Sequence, residues 1–117
     1  MKLYTTKETR QALDFIHFAS MEDKDTVDNI MKALLSLIVL KYEKGETITV
    51  PFIGEFTIEY EGDKYVENGK TAQLNISVKP DSNLNRLIGK IQDGDETEIT
   101  DLFKRRIADK LGEYLKE

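Results

Sequence analysis

The stretch Lys44–Ile58, KGETITVPFIGEFTI, decides the fold, because its hydrophobic pattern is that of strands rather than of a helix. Apolar and polar residues alternate on both sides of a short interruption. The alternating apolar residues are Ile48, Val50, Phe52, Phe56 and Ile58. Pro51 cannot donate to a sheet ladder, and Gly54 permits backbone conformations that a residue with a Cβ resists. The pattern predicts two strands joined by a tight turn that contains Gly54.

Two helices are predicted before these strands. Thr5 and Glu8 have the spacing of a capping box, which places the start of the first helix near Thr6. A polar break follows the first helix, and Asp25 or Thr26 is the expected N-cap of the second. Both segments carry apolar residues at helical spacing, so each is expected to bury one face.

The second helix is expected to end near Glu43, because Gly45 stands where a left-handed residue is favoured. Its last part, Ala33–Leu40 (ALLSLIVL), is apolar on nearly every side. Such a helix must be buried on several faces, and a chain of 117 residues has little material to surround it. We therefore expect a partner subunit to cover this segment. The alternative is a central position in a monomer, covered by the sheet and a C-terminal helix.

The remaining sequence predicts a third strand, a short helix, a linker and a final helix. An Asn-Gly turn signal in Glu67–Lys70 separates the second strand from the third. One face of the third strand carries Leu74, Ile76 and Val78. Asp81 or Ser82 is the expected cap of the short helix. Residues 93–98 form an acidic linker, and residues 99–117 are amphipathic at helical spacing, so the expected fold class is α+β.

Two motifs resemble the HU and integration host factor family of small DNA-bending proteins. The family pattern P-G-F-G-x-F aligns without a gap on Pro51–Phe56, with Phe52 in place of the first glycine and Ile53 in place of the first phenylalanine. The segment Val78–Leu84, VKPDSNL, resembles the family pattern F-K-P-G/S-K-x-L. The two preceding helices match in order and length, so the resemblance covers residues 6–91.

The resemblance implies an intertwined dimer, either of identical or of homologous subunits. Each three-stranded sheet would extend a β-arm around a DNA minor groove. Residues 1–92 would form the HU-like domain, and residues 99–117 would add a C-terminal helix to the same domain. The expected dimer interface consists of Leu34, Leu37, Ile38, Val39, Leu40, Phe52 and Phe56.

The expected β-arm departs from the family in charge and in its tip. Family arms are longer, carry several arginines and lysines, and end in a tip resembling R-N-P-x-T-G, whose proline wedges between base steps. Here the wedge position falls on Gly69, and Glu67 stands where an arginine is expected. The segment from Glu46 to Lys79 has six acidic and three basic residues, within a chain of formal net charge −5. Because DNA affinity rises with the number of phosphates neutralised, we expect DNA binding to be weak.

Basic residues elsewhere offer further phosphate contacts. The candidate nucleic-acid-binding residues are Asn68, Gly69, Lys70, Lys79, Arg86, Lys90, Lys104, Arg105 and Arg106. The densest basic run, KRR, falls on the predicted final helix. Its alternative interpretation is a solvated helix face, because Arg105 and Asp109 have the spacing of an ordinary surface ion pair.

No catalytic site, metal site or cofactor is expected. The chain has no cysteine, and its one histidine, His17, lies in an aromatic helix segment, where a packed or boundary role is expected. The acidic linker lacks the spacing of a calcium loop. There is neither a run of about 18 apolar residues nor a signal-peptide pattern, so we expect a cytoplasmic protein, nucleoid-associated or virion-associated if phage-encoded.

Two functions of different classes remain open. The first is an HU-like dimer that binds duplex DNA weakly and without sequence preference as an architectural protein. The second is an HU-like fold used as a protein-interaction or assembly module, for example in a phage particle or as an acidic mimic of DNA. In the second case the acidic arm or the C-terminal helix would contact another protein.

Overall fold

The computed structural model describes residues 3–95 and 97–98, which contain three helices and a three-stranded antiparallel sheet. Their order along the chain is α1 (Lys7–Ser20), α2 (Lys24–Glu43), β1 (Ile48–Val50), β2 (Gly54–Val66), β3 (Gly69–Pro80) and α3 (Ser82–Gln92). This order confirms the α+β class and the first six predicted elements. The predicted final helix lies outside the described residues, and so do the candidate DNA contacts Lys104, Arg105 and Arg106.

The chain divides into two compact units. The first contains α1 and the part of α2 that ends at Ala33. The second, Leu34–Gln92, contains the rest of α2, the sheet and α3. In the described residues, the buried apolar side chains are Val27 in the first unit and Ile48 and Val50 in the second.

The N-termini of α1 and α2 are both capped by a side-chain oxygen, although not by all the residues that the sequence favours. The predicted start of α1 near Thr6 is confirmed, with the Thr6 hydroxyl accepting a bond of 3.1 Å from the amide of Thr9. In α2, the Asp23 carboxylate accepts a bond of 2.7 Å from the amide of Thr26. An N-cap oxygen reaches the amide two or three residues ahead, so the cap of α2 is Asp23. The capping box from Thr5 and the N-cap at Asp25 or Thr26 are therefore wrong by one to three residues.

The C-terminus of α2 has the predicted glycine cap. Gly45 has a left-handed φ of 69°, and its amide donates to the Tyr42 carbonyl at 3.0 Å. The next amide, of Glu46, donates back to the Lys41 carbonyl at 3.1 Å. These two bonds form a Schellman motif, which turns the chain sharply out of the helix and into β1.

The strands pair in the order β1-β2-β3, and all pairs are antiparallel. Residues that are directly opposite each other lie on the same face of a sheet. One face is apolar, with the pairs Ile48/Phe56, Val50/Gly54, Phe56/Val78, Ile58/Ile76 and Tyr60/Leu74. The other face is polar, with the pairs Thr49/Glu55, Glu55/Lys79, Thr57/Ser77 and Glu59/Asn75.

The turn between β1 and β2 differs from its prediction. The turn residues are Pro51, Phe52 and Ile53, whereas Gly54 is already the first residue of β2. The left-handed backbone belongs to Phe52, with a φ of 66°, and not to Gly54. Gly54 is needed for space, because a Cβ there would lie 2.7 Å from the Lys79 carbonyl oxygen. The prediction that Gly54 supplies backbone freedom to the turn is therefore wrong.

A β-bulge interrupts the pairing of β2 with β3. The register shifts between Tyr60 and Asp63, where two residues of β2 lie opposite Gln73 of β3. Gly62, in the bulge, has a φ of 103°. Beyond the bulge the two strands form a short hairpin, here called the distal hairpin (residues 63–72).

Candidate functional site

The apolar face of the sheet between β1 and the bulge is half exposed. We call the residues of β2 and β3 on this face the apolar sheet face: Phe56, Ile58, Tyr60, Leu74, Ile76 and Val78. Leu74, Ile76 and Val78 expose 50%, 51% and 47% of their surface, and Phe56 and Ile58 are half-buried. Leu74, Ile76 and Val78 alternate along β3 and so form one apolar patch on this face. Large exposed apolar patches are a common feature of interaction surfaces.

The second half of α2 adds further accessible apolar surface to the same unit. Leu34, Leu37 and Ile38 are half-buried, whereas Val39 and Leu40 expose 47% and 55% of their surface. These five residues belong to the expected dimer interface, together with Phe56 on the apolar sheet face and Phe52 in the turn. Each of the seven therefore keeps solvent-accessible surface within the single chain.

The bulge brings a polar cluster onto the same face of the sheet, beyond the apolar residues. The Tyr60 hydroxyl donates to the Asp63 carboxylate at 2.6 Å, and Lys70 Nζ lies 3.3 Å from the other carboxylate oxygen. The hydrogen bond to Asp63 raises the pKa of Tyr60 above its ordinary value, and desolvation acts in the same direction. Lys70, a candidate DNA contact, thus has an acidic partner in its own hairpin.

The tip of the distal hairpin has backbone features but no wedge. Val66 pairs with Gly69, so Glu67 and Asn68 are the two turn residues. Gly69 has a φ of 140°, which is readily adopted only by glycine. Because glycine has no side chain, this position cannot insert between base steps as the proline of the family does.

The other described candidates for DNA contact lie near the end of β3 and along α3. Lys79 lies opposite Glu55 in the register of the sheet. Arg86 and Lys90 are four residues apart on α3, and Ser82–Gln92 contains no acidic residue. The predicted cap at Asp81 is confirmed, since its carboxylate accepts from the amide of Asn83 at 2.8 Å. The described candidates therefore fall in three places: the tip of the distal hairpin, the end of β3 and α3.

His17 lies at the C-terminal end of α1, and its contacts are structural. Its Nδ1 bonds to the Glu22 carbonyl at 2.6 Å, and a carbonyl can only accept, so Nδ1 carries the proton. Its ring packs at a centroid distance of 5.2 Å from that of Phe18. Within residues 3–95 and 97–98, no group of three or more His, Asp or Glu side chains is arranged to hold a metal ion. None of the helices in this part of the chain is long and apolar enough to cross a membrane.

Two local features escape the sequence patterns. The cluster of Tyr60, Asp63 and Lys70 depends on the bulge, because in a regular strand residues 60 and 63 would point to opposite faces. Gly62 inside a strand pattern is the signal that could have indicated this bulge. The left-handed backbone of Phe52 has no such signal, because the preference at that turn position is for glycine.

Comparison with models of known protein families and with curated proteins finds no match to this chain.

Proposed function

We propose that two copies of this chain pair into an HU-like dimer that acts as an architectural protein. The observation that carries the proposal is the half-exposed apolar sheet face, with the exposed part of α2 in the same unit. Full burial of a Val, Leu or Ile side chain stabilises a protein by about 1.5–3 kcal/mol. Covering the exposed halves of Leu74, Ile76 and Val78 would therefore contribute roughly 1 kcal/mol for each side chain and each subunit.

The ligand that we propose for this dimer is duplex DNA, bound weakly and without sequence preference. The supporting feature is α3, where Arg86 and Lys90 share one side of a helix segment that has no acidic residue. Phosphate contacts of this kind give affinity without sequence information. The arm contributes little, because Lys70 is paired with Asp63 and acidic residues outnumber basic ones along β2 and β3.

Fluorescence anisotropy of a labelled duplex of roughly 30 base pairs, titrated with the full chain at low and near-physiological salt, tests this proposal. We expect binding at low salt that weakens steeply as salt is added. The double variant Arg86→Gln/Lys90→Gln is expected to weaken binding at least roughly tenfold at low salt. The matched control is Lys24→Gln/Lys32→Gln. In the wild-type chain Lys24 forms an ion pair with Asp14, and Lys32 forms one with Asp28.

The outcomes separate the parts of the proposal. Binding that survives in Arg86→Gln/Lys90→Gln would move the contact to Arg105 and Arg106, the next pair to neutralise. A duplex that stays unbound even at low salt would contradict DNA as the ligand, and it would leave the dimer to be tested on its own.

The second candidate function is a protein-interaction or assembly module built on the same dimer. The polar face of the sheet favours it, because Glu55 and Glu59 lie on that face with Lys79 as the basic residue paired there. A surface of this charge repels phosphates and attracts basic protein surfaces. If the duplex stays unbound in the titration, the protein-interaction module becomes the leading proposal.

A further inference from the structure

Phe52 occupies a turn position that normally requires glycine. The Ile53 amide donates to the Val50 carbonyl at 3.0 Å, which closes a four-residue turn from Val50 to Ile53. Proline fixes φ of Pro51 near about −65°, and Phe52 follows with a φ of 66°. This combination defines a type II turn, whose third residue is usually glycine because a Cβ is strained there.

The strained backbone of Phe52 is held from both sides. On one side the turn bond joins Ile53 to Val50. On the other side the Ile53 carbonyl accepts from the amide of Asp81 at 2.9 Å, and Gly54 packs against the backbone of Lys79. Strain of this kind persists where the surrounding structure fixes the conformation, and it is concentrated at functional sites.

The Phe52 side chain contributes little to the stability of its own chain, because it is mostly exposed. It exposes 72% of its surface, and its neighbour Ile53 exposes 45%. The chain therefore carries a strained aromatic residue whose side chain is mostly in solvent. Aromatic side chains, phenylalanine among them, are enriched at the centres of protein interfaces, and having few rotatable bonds limits the conformational entropy that is lost on binding.

We infer that Phe52 is a preorganised anchor for a second, different protein, whose surface offers an apolar pocket to the ring and basic side chains around it. The charge of that partner follows from the polar face of the sheet, where Glu55, three residues beyond Phe52, and Glu59 outnumber Lys79, the one basic residue paired with β2 on that face before the bulge. A phosphate backbone would be repelled there, whereas a basic protein surface would be attracted. This inference takes Phe52 out of the dimer interface expected from the sequence, which would then consist of the apolar sheet face and the exposed part of α2. It requires no contact with DNA.

The test uses the full chain and two fluorescent peptide probes of equal charge. The first is an amphipathic helical peptide of leucine and lysine, and the second has serine in place of every leucine. We expect the wild-type protein to bind the leucine peptide in physiological salt and to bind the serine peptide at least roughly tenfold more weakly. Phe52→Ala and Phe52→Gly are both expected to weaken binding of the leucine peptide at least roughly tenfold.

Two controls show that the loss comes from the ring and not from damage to the turn. Tyr65→Ala removes an aromatic side chain that is 82% exposed on the distal hairpin, and it is expected to leave binding unchanged. Phe52→Gly relieves the left-handed strain that Phe52→Ala retains, so it is expected to melt a few degrees higher than Phe52→Ala at the same protein concentration, roughly 5 °C for a change of this kind.

Three results would overturn the inference. The first is a wild-type protein that leaves the leucine peptide unbound, or binds it no better than the serine peptide. The second is a Phe52→Ala variant that binds the leucine peptide as wild type does. The third is a Phe52→Ala variant that weakens dimerisation or duplex binding instead, which would place Phe52 in the dimer interface or on the DNA. If the wild-type chain does not bind the duplex, DNA is contradicted as the proposed ligand. That result would leave the inference about Phe52 standing.

Discussion

The same pair of strands has two different surfaces on one face, and the bulge separates them. On one side of the bulge, the apolar sheet face presents Phe56, Ile58 and Tyr60 opposite aliphatic residues of β3. On the other side, the distal hairpin presents Asp63 and Tyr65 opposite Ala72 and Lys70. The first surface is apolar and half exposed, whereas the second carries the Asp63 carboxylate, which pairs with Lys70 of the hairpin and accepts a hydrogen bond from Tyr60 at the bulge.

This difference indicates which part of the ribbon needs a partner. A surface of aliphatic side chains lowers its free energy by being covered, whereas an ion pair and a hydrogen bond in solvent gain little from burial. The added residue of the bulge changes which β2 side chains face the apolar side, so Asp63 joins Tyr60 there. We therefore place the boundary of the proposed subunit interface at the bulge.

The largest expected effect comes from placing a charge on the apolar sheet face. Ile76→Glu would bury an unpaired carboxylate in the proposed interface, which costs about 3 kcal/mol or more. We expect it to abolish the concentration dependence of urea unfolding that a dimer shows, measured by circular dichroism over a roughly hundredfold range of protein concentration. The matched control is Ser77→Glu, one residue along the strand on the polar face, which should retain that dependence. Equal behaviour of the two variants would contradict the assignment of faces.

A smaller effect is expected from crowding the base of the sheet. Gly54→Ala would put a Cβ 2.7 Å from the Lys79 carbonyl oxygen and 3.1 Å from Val78 Cγ1. Because a backbone atom cannot move aside easily, we expect a loss of about 1–3 kcal/mol in the free energy of unfolding. Gly89→Ala in α3 is the control, since a Cβ there meets nothing within 4 Å and replacing a helical glycine gains about 0.5–1 kcal/mol. A Gly54→Ala variant that is as stable as wild type would show that β2 and β3 can move apart at this position.

The smallest effect concerns the polar cluster beyond the bulge. The hydrogen bond to Asp63 raises the pKa of Tyr60 above 10.0, so its contribution to stability is fully present below that pH. The contribution is lost as the pH rises through the pKa of the folded state, because the phenolate can no longer donate. In Asp63→Asn the pKa of Tyr60 is expected to fall toward 10.0, measured by ultraviolet titration of the phenolates. Subtracting the titration curve of Tyr60→Phe from that of wild type isolates Tyr60 among the five tyrosines. An unchanged pKa of Tyr60 in Asp63→Asn would contradict the hydrogen bond between the two side chains.

Much of the fold could be predicted from local patterns. Helical spacing, the glycine at Gly45 and the alternation around Ile48 and Val50 each reflect short-range physics, and the structure confirms the elements that they predict. Side-chain caps were less predictable, because Thr5, Asp25 and Thr26 compete with equally suitable neighbours. The choice between them depends on where the backbone enters the helix, which a single sequence pattern does not contain.

The candidate surfaces were predictable only in part. The alternation in β3 identifies Leu74, Ile76 and Val78 as one face, but it cannot show that the single chain leaves that face half exposed. The bulge depends on how two strands pair, so the contact of Tyr60 with Asp63 could not be read from β2 alone. The strain at Phe52 runs against turn preference, and residue preferences therefore predict the wrong site for the left-handed backbone.

The most direct test of the central claim is the molar mass of the full chain in solution, measured by sedimentation equilibrium at physiological salt. Pairing through the apolar sheet face predicts twice the chain mass of 13.5 kDa at micromolar concentrations. The chain mass itself, unchanged over a roughly hundredfold rise in concentration, would contradict that claim.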